Sequence, residues 1–264
     1  NQLNIPIGLV LLFLMGIGPL LSWKYTSQSV LLNRFKLPFS VSFLSGMGYI
    51  IFSSSFQLYV FVAIMGVSFT LSSILGEFYR SYKKRRNSSS FLHSLGKMFL
   101  SNRHKNGGYI VHIGIVLLFI GFIGRAFEVE KEFSLSPGEQ IYFSNYVFKL
   151  NSIKSEARDN HYAFLSEIDV VDSSTNQLIV NLKPEKRIYF YWNSDPEKRQ
   201  PHSELDIYST IQKDIYSIFS GYDAQKNIGY FKIMINPLVN WVWIGGVLMV
   251  IGSLFAFWPS RRDN

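Results

Sequence analysis

Gly107-Gly108-Tyr109-Ile110-Val111-His112-Ile113-Gly114-Ile115-Val116-Leu117-Leu118-Phe119-Ile120-Gly121-Phe122-Ile123-Gly124 is an apolar run of membrane length with one histidine inside it. A bilayer core about 30 Å thick takes roughly 20 apolar residues as a helix. An imidazole in hydrocarbon is costly unless something coordinates it or hydrogen-bonds it, so His112 is a functional-site candidate. It is the only one of the five histidines in such a run. His93 and His104 sit in a basic stretch, and His161 and His202 in a polar region.

Outward from this run, four more stretches read as membrane spans: Ile5–Trp23, the weaker Phe39–Phe52, Phe56–Gly76 after a short Ser53–Ser55 link, and Pro237–Trp258. At least three of the five are too long and too free of charge for buried helices of a soluble protein. Ser22–Lys36 holds Lys24, Arg34 and Lys36 with no acid, Arg80–Lys105 is richly basic with no acid, and the tail ends in Arg261 and Arg262. The positive-inside rule assigns all three to the cytoplasmic side. The net charge of +8 is therefore a topology signal, and nucleic acid is not an expected partner. Between the last two spans, Glu128–Ile235 carries 16 acids against 12 bases and is expected outside. The absence of cysteine excludes a thiol redox role for the chain and suits an extracytoplasmic face free of stray disulfides. Asn1 opens almost directly into a span with no signal-peptide order, so the chain reads as a piece of something longer.

The expected fold is a polytopic α-helical membrane protein of about five transmembrane helices with an inserted extracytoplasmic small β-barrel or sandwich. Residues 1–127 hold four helices with basic cytoplasmic loops, 128–235 a periplasmic β domain, and 236–264 the last helix and a cytoplasmic tail. In Tyr146–Ile153 and Leu178–Lys183 apolar and polar residues alternate as in half-buried strands. Glu204–Tyr208, Ile215–Phe219 and Tyr230–Ile235 add further strands, seven or eight in all. Pro137-Gly138, Ser173–Asn176 and Asn193–Pro196 are turn signals. No paired carboxylates, Ser-His-Asp order or metal-ligand spacing appears in this region. The charged Pro184–Tyr189 reads as a solvated turn, or else as a docking edge for a partner or for anionic propionates.

At 100° per residue, Gly108, Ile115, Val116, Phe119 and Ile123 share the face of His112, and Gly107, Gly114 and Gly121 fall nearly opposite. One face is then a glycine seam for a neighbouring helix, and the other presents a histidine with apolar walls. Four residues beyond Gly108, His112 lies about 6 Å into the span, near the cytoplasmic face. Axial ligation of heme, a structural hydrogen bond, a proton relay and a quinone contact are all open to such a residue. A transporter would use more intramembrane charge than Glu77 and Arg125 at the span edges.

Asn4-Ile5-Pro6-Ile7-Gly8-Leu9 with Leu14-Met15-Gly16-Ile17-Gly18-Pro19-Leu20-Leu21-Ser22-Trp23, then Gly107–Gly114, then Asn236-Pro237-Leu238-Val239-Asn240-Trp241-Val242-Trp243-Ile244-Gly245-Gly246 follow one another around the outer domain. Together with Leu182-Lys183-Pro184-Glu185-Lys186-Arg187, they resemble the C-terminal portion of CcmF, the cytochrome c-type biogenesis family that forms the heme lyase component. The resemblance implies a part in cytochrome complex assembly, in which heme is attached covalently to apocytochrome c outside the bacterial inner membrane. It also implies a membrane-embedded heme b, of which His112 matches the position of one axial iron ligand. Implied partners are the N-terminal portion or subunit of the same lyase, a membrane-tethered heme chaperone, apocytochrome c and thiol-reducing proteins. The family's tryptophan-rich outer loop, its flanking histidines and the second axial ligand have no counterpart here, so a complete enzyme would need the N-terminal portion. The alternative is a non-enzymatic membrane scaffold of the assembly complex in which His112 is structural. Gly16-x-Gly18-Pro19 is expected to end or kink the first helix, and Trp241 and Trp243 to anchor the last one at an interface.

Overall fold

A computed structural model of the chain describes residues 3–21, 27–85, 102–190 and 201–258. The chain divides into two compact units, a helical one formed by 1–126 with 238–264 and a β one formed by 127–237.

Among the described residues the helical unit has five helices: α1 (Asn4–Ile17), α2 (Gln28–Phe52), α3 (Leu58–Arg85), α4 (Arg103–Gly124) and α5 (Val239–Phe257). The last four are long and apolar enough to cross a membrane, whereas α1 is shorter. Gly18-Pro19-Leu20 forms a 3-10 turn that stops α1 where the Gly-x-Gly-Pro signal falls. Two spans are longer than expected. α2 begins at Gln28, so Arg34, Lys36 and Pro38 lie on a helix and not in a loop. α3 runs on to Arg85, so the basic residues from Arg80 to Arg85 form its last turns. Long cationic side chains can carry their charge out of hydrocarbon along a continuing helix, which is why these turns are tolerated.

Small residues set the packing. Ser42 of α2 donates to the Met65 carbonyl of α3 at 2.9 Å, and Thr70 of α3 donates to the Leu12 carbonyl of α1 at 2.8 Å. On α4 the glycine seam is observed: a Cβ at Gly107 would lie 2.7 Å from the Gly252 carbonyl of α5, and one at Gly114 2.7 Å from that of Gly245. A Cβ at Gly121 would collide with Val242. Gly245 and Gly252 reciprocate against Gly114 and Gly107, so α4 and α5 are antiparallel with backbones in direct contact, the geometry that small-xxx-small faces allow.

The β unit is a sandwich, with ten strands among the described residues: β1 (Val129–Leu135), β2 (Gln140–Phe143), β3 (Tyr146–Ala157), β4 (His161–Asp172), β5 (Leu178–Leu182), β6 (Glu185–Tyr189), β7 (Pro201–Glu204), β8 (Asp206–Ser209), β9 (Lys213–Asp223) and β10 (Ile228–Pro237). One antiparallel sheet runs β1-β10-β9-β8, and the other runs β2-β3-β4-β6-β7. β4 is long enough to pair twice along one edge, with β5 over Ile168–Val171 and with β6 over His161–Leu165. Phe148, Leu150, Ile168, Val170 and Leu182 from one sheet meet Ile215, Phe219, Phe231 and Ile233 from the other in a shared core. Phe219 and Phe231 stack there at 4.9 Å. Alternation along the strands supplies this layer, and burying it against a second sheet is what makes the pair independently stable.

Pro137-Gly138 and Ser173–Asn176 are turns as their residues demand, and Asn193–Pro196 lies outside the described residues. At the second turn the Asp172 carboxylate accepts from the Ser174 hydroxyl and from the Thr175 and Ser174 amides. These bonds hold its pKa down to about 2 from the ordinary 3.8. A carboxyl depressed on folding stabilises above its unfolded pKa and ceases to do so as pH falls through the folded one. The difference in β-domain thermal midpoint between wild type and Asp172→Ala should thus be full at pH 5 and vanish near pH 2. A pH-independent difference would refute the assignment.

Candidate functional site

His112 stands on α4 half-buried, with Nδ1 buried and without a hydrogen-bond partner. A structural histidine would bond a neighbouring helix, and among the described residues no such bond is made at Nδ1. An orphaned ring nitrogen is a feature that calls for explanation by a ligand.

The walls differ from the expected ones. Val116, Phe119 and Ile123 do share a face, but they pack into the chain's own core against Leu12 and Met15 of α1 and Val67 and Leu71 of α3. Those three side chains are therefore already engaged within the chain. The open side lies one turn toward the helix N-terminus, where a Cβ at Gly108 would meet nothing within 4 Å. A neutral imidazole beside unfilled space in an apolar helix is a donor set that fits the iron of a heme.

Below this gap lies a charged cluster whose pairing sequence reasoning missed. Glu77 of α3 is only 8 % exposed. It receives Arg80 Nε at 2.8 Å on one oxygen and Lys105 Nζ of α4 at 3.2 Å on the other. Lys105 also lies over the Tyr109 ring, 5.4 Å from its centroid, and Tyr109 meets Phe78 of α3 edge-on. The available signal was that Glu77 is the sole acid between Asn1 and Phe127.

In the β unit, Pro184–Tyr189 is mainly a strand, β6, and not the solvated turn its charge suggests. Its charges pair along the strand and beyond it: Glu185 takes Arg187 of the same strand at 2.9 Å and Arg158 at 3.3 Å, and Arg187 reaches Glu204 of β7 at 3.2 Å. Burial alone would raise the Glu185 carboxyl, but the two guanidiniums outweigh it and hold it below its ordinary value. Beside this row His161 is 7 % exposed, bonded through Nδ1 to Asn160 at 2.6 Å and facing Tyr189 at 4.9 Å between ring centres. His202 contacts the same Tyr189 ring. Among the described residues no group of three or more His, Cys, Asp or Glu side chains could hold a metal ion.

A helical unit with four helices of membrane-crossing length, interrupted before its last helix by a β-sandwich, defines a polytopic membrane protein with an inserted extramembrane domain. Residues 126–237 match the family model described as the CcmF C-terminal beta-sandwich. Along 94 % of its length the chain is 24 % identical to the cytochrome c-type biogenesis protein CcmF of Haemophilus influenzae, covering 36 % of that protein. Along 99 % it is 22 % identical to CcmF of Pseudomonas aeruginosa, covering 37 %. A solved structure, the cytochrome c heme lyase CcmF, superposes on 98 % of the chain with a TM-score of 0.74 at 19 % identity, and the match covers 40 % of that structure. The chain thus carries the CcmF β-sandwich on the CcmF fold, and its resemblance to the C-terminal portion of CcmF is borne out. It spans little more than a third of the length of these curated relatives.

Proposed function

We propose that this chain is the C-terminal part of a cytochrome c heme lyase, supplying through His112 one axial ligand of a heme b held within the bacterial inner membrane. The observation that carries the reading is a half-buried His112 with no hydrogen-bond partner at Nδ1, on a helix whose Gly108 turn is open and on a fold shared with a protein named as a heme lyase. When bound, heme b supplies one-electron chemistry. The chain's own contribution is to hold a neutral imidazole at fixed height: the Gly107/Gly114/Gly121 seam locks α4 on α5, and the Val116 cluster locks it on α1 and α3.

The remainder of the site comes from the rest of the CcmF length, as a preceding portion or a separate subunit. Charge supports the topology, with Lys24, Arg34, Lys36 and Arg80–Lys105 on the cytoplasmic side, residues 128–235 in the periplasm, and 236–264 returning inward. The sandwich serves as a docking domain for apocytochrome c, the heme chaperone or thiol-reducing partners. A pure scaffold with a structural His112 requires a hydrogen bond that Nδ1 does not make.

The test is a reduced-minus-oxidised visible spectrum of the chain co-expressed with the N-terminal portion. Wild type shows a b-type signal, and His112→Ala loses it while helical content stays unchanged, because the ring fills no core position. A signal that survives His112→Ala, or none in the wild-type pairing, sinks the reading.

A further inference from the structure

Glu77 raises a question that ligation by His112 does not answer. A carboxylate 8 % exposed at a membrane edge holds two cations, so the cluster is left with a net positive charge. One acid would balance one base. The second cation is surplus to a one-to-one ion pair, so the cluster keeps capacity to bind an anion. Both cationic side chains remain open on their far sides, Arg80 being 39 % and Lys105 46 % exposed. Guanidinium has five donors and ammonium three, so Glu77 occupies only part of their capacity.

The cluster lies on the approach to His112. Lys105 precedes His112 by seven residues, roughly 10 Å along the axis and within about 20° of the same stripe. Between them stands Gly108, where a Cβ would meet nothing. Arg80 folds back over Gly76, with Nη1 3.6 Å from where a Gly76 Cβ would sit. α3 is antiparallel to α4, since Phe78 meets Tyr109 while Leu71 packs near Val116. Leaning toward the N-terminus of α3 therefore carries the guanidinium toward the level of His112. An open strip on α4 thus has an unpartnered imidazole at one end and two cations, propped by a buried carboxylate, at the other.

We infer that Arg80 and Lys105, held in place by Glu77, bind the propionate carboxylates of the heme that His112 ligates. This rests on the heme reading above and adds what sets the orientation of the macrocycle: the propionate edge faces the cytoplasmic end of α3 and α4, and the apolar edge faces the bilayer centre. Arginine suits the task because its fork matches a carboxylate, and Glu77 prevents the two cations from repelling one another when no propionate is present. A phospholipid phosphate offers the same anionic chemistry, but the open strip leads to His112, and a lipid headgroup has no reason to follow it.

The experiment compares hemin with hemin dimethyl ester, whose propionates carry no charge. Both are titrated by visible absorption into the chain paired with its N-terminal portion, prepared from heme-deficient cells. Wild type should prefer hemin by about tenfold, the scale of one charge-assisted hydrogen-bonded pair. In Lys105→Met and Arg80→Met the preference should shrink toward one, with ester binding unchanged. Glu77→Gln keeps both cations but removes the carboxylate that places them, so the preference should fall below that of wild type yet stay above that of either Met variant; a preference equal to wild type would show that Glu77 does not hold them in place. A wild-type ratio near one, with binding still dependent on His112, overturns the propionate clamp alone. If the two Met variants also lose co-purifying anionic phospholipid, the cations belong to lipid headgroups and the proposal fails. Absence of hemin binding, or binding indifferent to His112→Ala, sinks the heme reading and the clamp with it.

Discussion

Gly114→Val forces α4 off α5. At Gly114 a Cβ would sit 2.7 Å from the Gly245 carbonyl oxygen and 3.0 Å from the Met249 amide nitrogen, and backbone atoms cannot rotate aside as a side chain would. Overpacking ordinarily costs about 1–3 kcal/mol, and the upper end applies where the obstacle is backbone. Valine's two γ-methyls extend the clash. The expected result in detergent is a thermal midpoint for the helical unit well below that of wild type, with the b-type spectrum lost alongside. Gly108→Val is the control, only six residues away on the same helix. Its Cβ meets nothing, so the fold should hold to within about 0.5 kcal/mol, as for substitutions away from packed features. Heme binding should nevertheless fall, because the side chain fills the strip beside His112. Equal thermal midpoints for the two variants would refute the seam.

Phe148→Ala acts on the other unit. Phe148 is fully buried and gathers the rings of Phe133, Phe143 and Tyr146 at 6.2–6.5 Å. Truncating such a phenylalanine costs about 3–5 kcal/mol, against a total domain stability on the order of 5–15 kcal/mol. The sandwich should become susceptible to limited proteolysis at 37 °C, while the helical unit keeps its helicity and its b-type signal. On the function proposed above, covalent attachment of heme to apocytochrome by the chain paired with its N-terminal portion should fail. A variant that retains both a protease-resistant sandwich and full attachment would show that the core centres elsewhere.

Periodicity carried much of this fold. The seven-residue spacing of Gly107, Gly114 and Gly121 announced a helix contact, and α5 fills it with glycines at the same interval. Gly-x-Gly-Pro marked the end of α1 because the obstacle to a helix is local and steric. α2 was read too short because Arg34, Lys36 and Pro38 look like a loop one residue at a time, yet a helix tolerates each where it emerges from the apolar layer. β6 was hidden because its charged residues are neutralised by Arg158 and Glu204, neighbours in space and not in sequence. The same limit applied at the candidate site. His112 was visible because an imidazole is conspicuous in hydrocarbon, but its open side was not. That Val116, Phe119 and Ile123 are consumed by α1 and α3 is a tertiary fact, as is the reach of Lys105 to Glu77, 28 positions away.

The α4–α5 seam bears on how the chain is made. α1, α2 and α3 can pack as soon as they leave the ribosome, since Ser42, Leu12 and Thr70 find their partners within a short length of chain. α4 cannot complete its packing then, because its glycine stripe must wait for the 114 residues from Arg125 to Leu238 and for α5 behind them. At about 5–20 residues per second that is a delay of roughly 6–23 s. During that interval a smooth, close-packing face stands in the bilayer without its mate. Synthesis of the sandwich therefore works as a timer on the helical unit, and His112 reaches its final height only when the last helix arrives.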